Sequence, residues 1–285
     1  MFETTILAIL QGIAEFLPIS SSGHLVLGKV LLGVKEPGIR LDIFLHVGTL
    51  LAIAAFYWKI IWSLIQHCIA SDSRAEASRV ARHTMAEATN HCIASDSRAR
   101  ESWSYIGKII VSAVPAGIVG LLFRKELTEF FSSPRTVGSA LIFTGIILLA
   151  TKILPKGERQ VSFLSAIVMG VAQAAAILPG VSRSGMTIAA AKASKVESAK
   201  AAEFSFLMSA PVIAGAALLE ILEALGDDTC SCCETSWPLV IYGGVIAAIV
   251  GYFALWVLLK TLKSDKFWLF GPYCLVAGGV TLALV

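Results

Sequence analysis

Charge is what this sequence has least of: Asp, Glu, Lys and Arg make up 15% of its 285 residues, against 56% hydrophobic ones. An ordinary soluble domain carries about a quarter charged residues. With a mean hydropathy of +0.77, the chain has too little polar surface for a water-soluble fold, which argues against a cytosolic enzyme. The same figures exclude disorder. A net charge of +3 is too small to indicate nucleic acid as a partner, and the basic residues fall in short loops. The six cysteines, at 68, 92, 230, 232, 233 and 274, lack the spacing of a small disulfide scaffold. No basic n-region opens the chain, so Met1-Phe-Glu-Thr-Thr-Ile is read as the start of the mature protein. What remains is how the chain lies in a bilayer.

A spanning helix needs roughly 20 mostly apolar residues, and about 17 at the least. Pro238–Leu259 and Phe267–Val285 meet that standard. Leu41–Trp58, Lys108–Phe123, Val137–Thr151 and Phe204–Leu222 meet it with their flanks. Two other apolar stretches break: Phe2–Leu17 runs into Pro18-Ile-Ser-Ser-Ser-Gly23, and Val161–Leu178 into Pro179-Gly180. A helix broken at membrane depth is tolerated only where it lines a protein-walled or watery cavity. Both are therefore read as re-entrant hairpins. The expectation is an all-α polytopic membrane protein with six transmembrane helices and two re-entrant helical hairpins, in a single domain over 1–285.

Basic residues set the orientation, because cytoplasmic loops carry more of them. Lys59–Lys108 holds seven Lys and Arg and Lys260–Lys266 holds three, whereas Gly226–Trp237 holds none and three acids. The first two regions are assigned to the cytoplasm, the third to the outside, with both termini outside. The three basic residues in Arg124–Thr136 run against this pattern.

The two broken segments resemble each other. Gly12-Ile-Ala-Glu15 followed by Pro18-Ile-Ser-Ser-Ser-Gly23 parallels Gly170-Val-Ala-Gln173 followed by Pro179-Gly-Val-Ser-Arg-Ser-Gly185. Leu41-Asp-Ile-Phe-Leu45 and Ala202-Glu-Phe-Ser-Phe206 continue the match. With the assigned orientation this is an inverted-topology repeat, one copy over about 1–152 and the other over 153–285. Broken helices of such repeats meet near the midplane and build the site there.

Arg183 is the most informative residue. A guanidinium at membrane depth costs at least about 2.5–3.5 kcal/mol on insertion scales, so it needs an anionic partner. Its planar fork suits phosphate oxygens. Ser182, Ser184 and Thr187 add hydroxyls, and a helix restarting near Gly185 adds free N–H groups. The plainer alternative is that Arg183 only pairs with Glu15 to join the repeats. Gln11 and Glu15 share a helix face; the carboxylate suits a divalent cation, a base or the positioning of Arg183. His24, two residues after Ser20–Ser22, suits proton transfer, with His46 a second polar group inside a span. Phosphoryl transfer needs little beyond a positioned nucleophile and neutralised oxygens. An anion transporter needs Arg183 equally but has less use for Glu15, His24 and the serines.

Gln11-Gly-Ile-Ala-Glu15-Phe-Leu-Pro-Ile-Ser-Ser-Ser-Gly-His24 resembles the (E/Q)xxxE-plus-SSxGH segment of the bacterial undecaprenyl-diphosphate phosphatases of the bacitracin-resistance type. Pro179-Gly-Val-Ser-Arg-Ser-Gly-Met-Thr187 resembles the PGxSRSxxT motif of that family. The likeness covers nearly the whole chain outside 66–101. It implies removal of the terminal phosphate from undecaprenyl diphosphate, regenerating the lipid carrier for peptidoglycan and other envelope polymers and conferring bacitracin resistance. It also implies a plasma-membrane (inner-membrane) enzyme dependent on a divalent cation; the site is read as opening to the outer side at the repeat interface, with Glu15 assigned to Mg²⁺ or Ca²⁺ or to positioning the nucleophile. Residue by residue it points to Glu15, Ser21, His24 and Arg183 as catalytic. Gln11 stands where many members have Glu, which weakens any scheme needing two carboxylates. Gln11, Ser20, Ser22, Gln173, Ser182, Ser184 and Thr187 complete the expected headgroup site. The nucleophile stays open between Ser21, His24 and water; a homodimer is admitted but no motif calls for one.

Residues 66–101 depart from any membrane pattern. His67-Cys-Ile-Ala-Ser-Asp-Ser-Arg-Ala75 recurs as His91-Cys-Ile-Ala-Ser-Asp-Ser-Arg-Ala99. Adjacent His-Cys pairs lack zinc-ligand spacing, and the segment is read as a polar cytoplasmic loop. Cys230-Ser-Cys-Cys233 is assigned no catalytic role.

Overall fold

A computed structural model describes residues 1–34, 39–67, 69, 88–123, 133–226 and 236–284. Among these the secondary structure is helical, with one isolated β-bridge between Arg159 and Val196. Five helices among the described residues are long and apolar enough to cross a membrane, and a bent pair counts as a sixth when its two helices are taken as one span. The chain is an all-α, multi-pass membrane protein.

In chain order the first hairpin is α1 (Phe2–Phe16) and α2 (Ser21–Leu32). Next come α3 (Ile39–Phe56) and α4 (Trp58–His67), bent by 71° at Tyr57. Then follow α5 (Ala88–Leu122) and α6 (Pro134–Ala150). The second hairpin is α7 (Phe163–Ala175) and α8 (Arg183–Ala193). The last helices are α9 (Ser198–Gly226), α10 (Trp237–Lys263) and α11 (Phe270–Leu284). All six sequence-expected spans fall on α3, α5, α6, α9, α10 and α11.

Two expectations change at the edges. The span expected to stop at Trp58 turns at Tyr57 and continues as α4. Residues 88–101, expected within a polar loop, are the opening turns of α5. The physical reason is cooperativity: once Ala99–Leu122 is helical, further turns need propagation and not a new nucleus. The second nonapeptide copy is thus helical, while most of the first copy, and Cys230–Cys233, lie outside the described residues.

Each hairpin breaks where its sequence demands. Proline disfavours the helical region for its predecessor, and Leu17, before Pro18, is extended at φ −67°, ψ 144°. Ser20 then caps α2, its hydroxyl accepting from Gly23 N at 3.2 Å. In the second hairpin Gly180 turns the chain at φ +91°, a conformation open to glycine. Ser182 caps α8, accepting from Gly185 N at 3.1 Å. The far ends are tied down as well: Lys29 pairs with Asp42 at 2.5 Å and Lys192 with Asp265 at 3.0 Å.

The packing runs in matched pairs. The first arm α1 lies on α10 as the third-quarter arm α7 lies on α5; α3 lies on α10 as α9 lies on α5; α3 meets α9, and α6 meets α11. Close approach at corresponding glycines sets the first match. A Cβ on Gly12 would meet Ala247 O at 2.9 Å, and one on Gly170 would meet Ser112 O at 2.5 Å. Small residues let apolar helices associate where lipid offers no hydrophobic drive. An apolar core that includes Phe16, Ile53, Leu148, Phe206 and Phe267 underlies the first tip, with Phe16 edge-on to Phe206 at 5.5 Å.

Candidate active site

The tips of the two hairpins touch. Gly180 N donates to Ser22 Oγ at 3.4 Å, and Ser184 Oγ donates to Leu17 O at 3.3 Å. Neighbouring helices brace both tips. Thr144 Oγ1 donates to Gly180 O at 3.3 Å and accepts from Ser182 N at 3.1 Å. Cys274 Sγ donates to Pro18 O at 3.5 Å.

Glu15 sits where the tips meet, 7% exposed. Its Oε2 accepts from Ser21 Oγ at 2.6 Å and from Gln11 Nε2 at 3.1 Å, while Oε1 accepts from Arg183 Nη2. A buried ion pair survives only when hydrogen bonds satisfy its remaining lone pairs, and Ser21 and Gln11 supply them here. The residue that opens α2 and the residue that opens α8 therefore grip one carboxylate. The capping serines repeat the pattern, with Ser20 to Ser22 and Ser182 to Ser184 both at 3.3 Å.

A cavity of about 270 Å³ opens beside this group. Glu15, Ser20, Ser21, Ser22, His46, Ser182 and Arg183 form its polar wall; Ala14, Ala176, Ile177, Val181 and, from α9, Val212, Ile213, Ala216 and Ala217 form its apolar wall. Small-molecule pockets start at roughly 300 Å³, so the space suits a headgroup and not a long lipid. Arg183 Nη1 is buried without a partner, so one donor group of a guanidinium that lines the cavity is uncommitted. The positive ends of α2 and α8 point to the same place, and helix N-termini favour phosphate.

Not every expected residue reaches the cavity wall. His24 lies one turn along α2, its Nδ1 on Ser20 O at 2.8 Å and its Nε2 on Tyr273 OH at 2.7 Å. Thr187 is fully buried, with its hydroxyl on Ser205 at 2.6 Å joining α8 to α9. Ser184 is spent on the tip contact. Gln173, the counterpart of Glu15, is 2% exposed and both its amide atoms lack partners. Gln11 reaches the site through Glu15. His46 belongs to the wall itself, its Nδ1 on Asp42 O at 2.8 Å.

Residues 4–280 match the family described as bacitracin resistance protein BacA. The chain belongs to this family. Among curated relatives, the undecaprenyl-diphosphatase of Halothermothrix orenii is 36% identical, with 100% of this chain and 98% of that protein covered. The undecaprenyl-diphosphatase of Desulforapulum autotrophicum is 37% identical over 99% and 97% of the two chains. That of Desulfosudis oleivorans is 39% identical over 98% and 97%.

The donor set fits a divalent cation shared with a phosphate ligand. Gln11 Oε1 is buried and unpartnered beside Glu15. Among the described residues no cluster of three or more His, Cys, Asp or Glu is present. Mg²⁺ commonly binds through one or two carboxylates with water and substrate phosphates, which matches a site of one carboxylate and several neutral oxygens. Sequence reasoning missed Thr144, Tyr273 and the α9 wall. Thr144 and Tyr273 lie in Gly-rich apolar spans with nothing local to single them out.

Proposed function

We propose that this protein removes the terminal phosphate of undecaprenyl diphosphate, leaving undecaprenyl phosphate for another round of envelope synthesis. One observation carries the reading: Ser21 Oγ lies 2.6 Å from Glu15 beside an arginine with an unpaired Nη1. A nucleophile in hydrogen-bond reach of a base, with that base oriented by a third group, is the general pattern of covalent catalysis. Gln11 is the third group. Arg183 Nη1 and the N-termini of α2 and α8 take the phosphate oxygens. Ser21 Oγ attacks the terminal phosphorus and gives its proton to Glu15. The bridging P–O bond breaks, and undecaprenyl phosphate leaves with that electron pair. Water then attacks that phosphorus, and the P–Oγ bond breaks with its electron pair on Oγ. Oγ takes back its proton from Glu15, and both protons of the water leave on inorganic phosphate.

Glu15, with Gln11 Oε1 beside it, would hold Mg²⁺ or Ca²⁺; bound there, the cation supplies charge against the phosphate oxygens. Electrostatics support this. Arg183 is already compensated by Glu15, so a multiply charged diphosphate needs further positive charge. The apolar wall from α9 takes the first carbons of the prenyl chain while the remainder stays in lipid.

The matched helix pairings and the paired caps support an inverted repeat over about 1–152 and 153–285. The basic-residue distribution supports an orientation with both termini and the site facing outward, in the plasma membrane that the family resemblance implies. The deciding experiment measures phosphate release from undecaprenyl diphosphate by purified protein, with and without chelator. Release that chelation abolishes is expected. Movement of intact lipid across proteoliposomes without release would instead identify a carrier.

A further inference from the structure

The interaction of His24 with α11 remains outside that reading. Ser20, immediately before Ser21, holds a left-handed φ of 71°. Such a conformation is costly for a residue with a side chain and persists only where its surroundings over-determine it. The Ser20 carbonyl takes two bonds from His24: the backbone N–H at 3.1 Å and Nδ1 at 2.8 Å. A carbonyl only accepts, so Nδ1 carries the proton, and in the neutral ring Nε2 is then an acceptor. Tyr273 OH, 2.7 Å from Nε2, must therefore donate. The ring planes lie within 14° of each other with centroids 5.7 Å apart, so the two rings are in stacked contact as well as hydrogen-bonded. The next residue, Cys274, holds Pro18 O. One turn of α11 thus fastens both sides of the first tip.

We propose that Tyr273 is a positioning residue for Ser21. It fixes the His24 ring, His24 fixes the Ser20 carbonyl, and the strained Ser20 sets Ser21 against Glu15. The inference rests on the phosphatase reading with Ser21 as nucleophile. A small displacement of a reacting group costs rate far more than binding, so the signature is a split between kcat and KM.

The test uses the full chain in lipid nanodiscs, labelled with ¹⁵N-histidine, as wild type and as Tyr273→Phe. Loss of one resonance pair in His24→Gln assigns the ring. In Tyr273→Phe the Nε2 resonance is expected to move towards that of a free acceptor nitrogen, with Nδ1 still protonated. The kcat for phosphate release is expected to fall about tenfold with KM within about twofold. Tyr242→Phe, which removes a hydroxyl from α10 far from His24 in sequence and paired with Thr5, is expected to match wild type in both. An unmoved Nε2 resonance overturns the proposal, and so does a moved resonance with unchanged kcat. A wild-type protein that releases no phosphate defeats the phosphatase reading itself, whereas the resonance shift reports the Tyr273 bond independently of activity.

Discussion

Glu15 takes three side-chain hydrogen bonds while buried, so replacing it separates charge from shape. Glu15→Gln keeps the volume but leaves Arg183 charged and unpaired, a situation that costs about 3–5 kcal/mol in buried pairs. The expected outcome is a lower melting temperature together with a kcat loss of at least about 100-fold, read by thermal unfolding in detergent and by phosphate release. Arg183→Lys keeps the charge but loses the planar fork. Lys has one terminal nitrogen where Arg183 uses Nη2 for Glu15 and holds Nη1 unpaired. Turnover is expected to fall with stability closer to wild type than in Arg183→Ala. Equal stability of the two variants would show that the charge alone restores nothing and that the planar fork is what holds Glu15. At this scale the sequence was unusually readable. An arginine and a glutamate inside apolar segments each demand a partner, and two broken helices with serine-rich tips supply the meeting place. Tyr273 was not readable, because a tyrosine in an apolar span carries no such demand.

At the level of helices, two glycines at corresponding positions make the arms of the hairpins seat closely. Gly12→Leu and Gly170→Leu would each drive a side chain into a neighbouring backbone, with approaches of 2.9 Å and 2.5 Å already at the Cβ. Overpacking of this kind costs about 1–3 kcal/mol. Both variants are expected to melt earlier than wild type. Gly117→Leu on α5, where a Cβ meets nothing within 4 Å, should leave the melting temperature unchanged. The breaks at Pro18 and Pro179-Gly180 were legible because proline restricts its predecessor and glycine alone takes φ +91° without strain. The 71° bend at Tyr57 was not legible, since Phe56-Tyr-Trp58 contains neither proline nor glycine. Nor was the length of α5, whose opening turns are polar and follow from propagation and not from an apolar stripe.

For the whole molecule, the proposed inverted repeat and the distribution of basic residues together predict which ends of the hairpins face which compartment. Val34, after α2, should lie outside, and Ser194, after α8, should lie inside. In a chain whose six cysteines are replaced by alanine, Val34→Cys should react with a membrane-impermeant maleimide in intact cells. Ser194→Cys should react only after permeabilisation. Labelling of both from the same side would sink the inverted arrangement while leaving the contacts at Glu15 intact.

The size of the cavity, about 270 Å³, carries a kinetic consequence. A chamber that admits only the polar end of its lipid never lifts that lipid out of the sheet it dissolves in. Collisions between catalyst and substrate are then two-dimensional, and the governing variable is mole fraction in the surface, not moles per litre. Adding inert detergent or phospholipid at fixed bulk substrate should slow turnover in proportion to the dilution, and short-chain analogues sharing the same first isoprene units should be cleaved at comparable rates once matched for surface density.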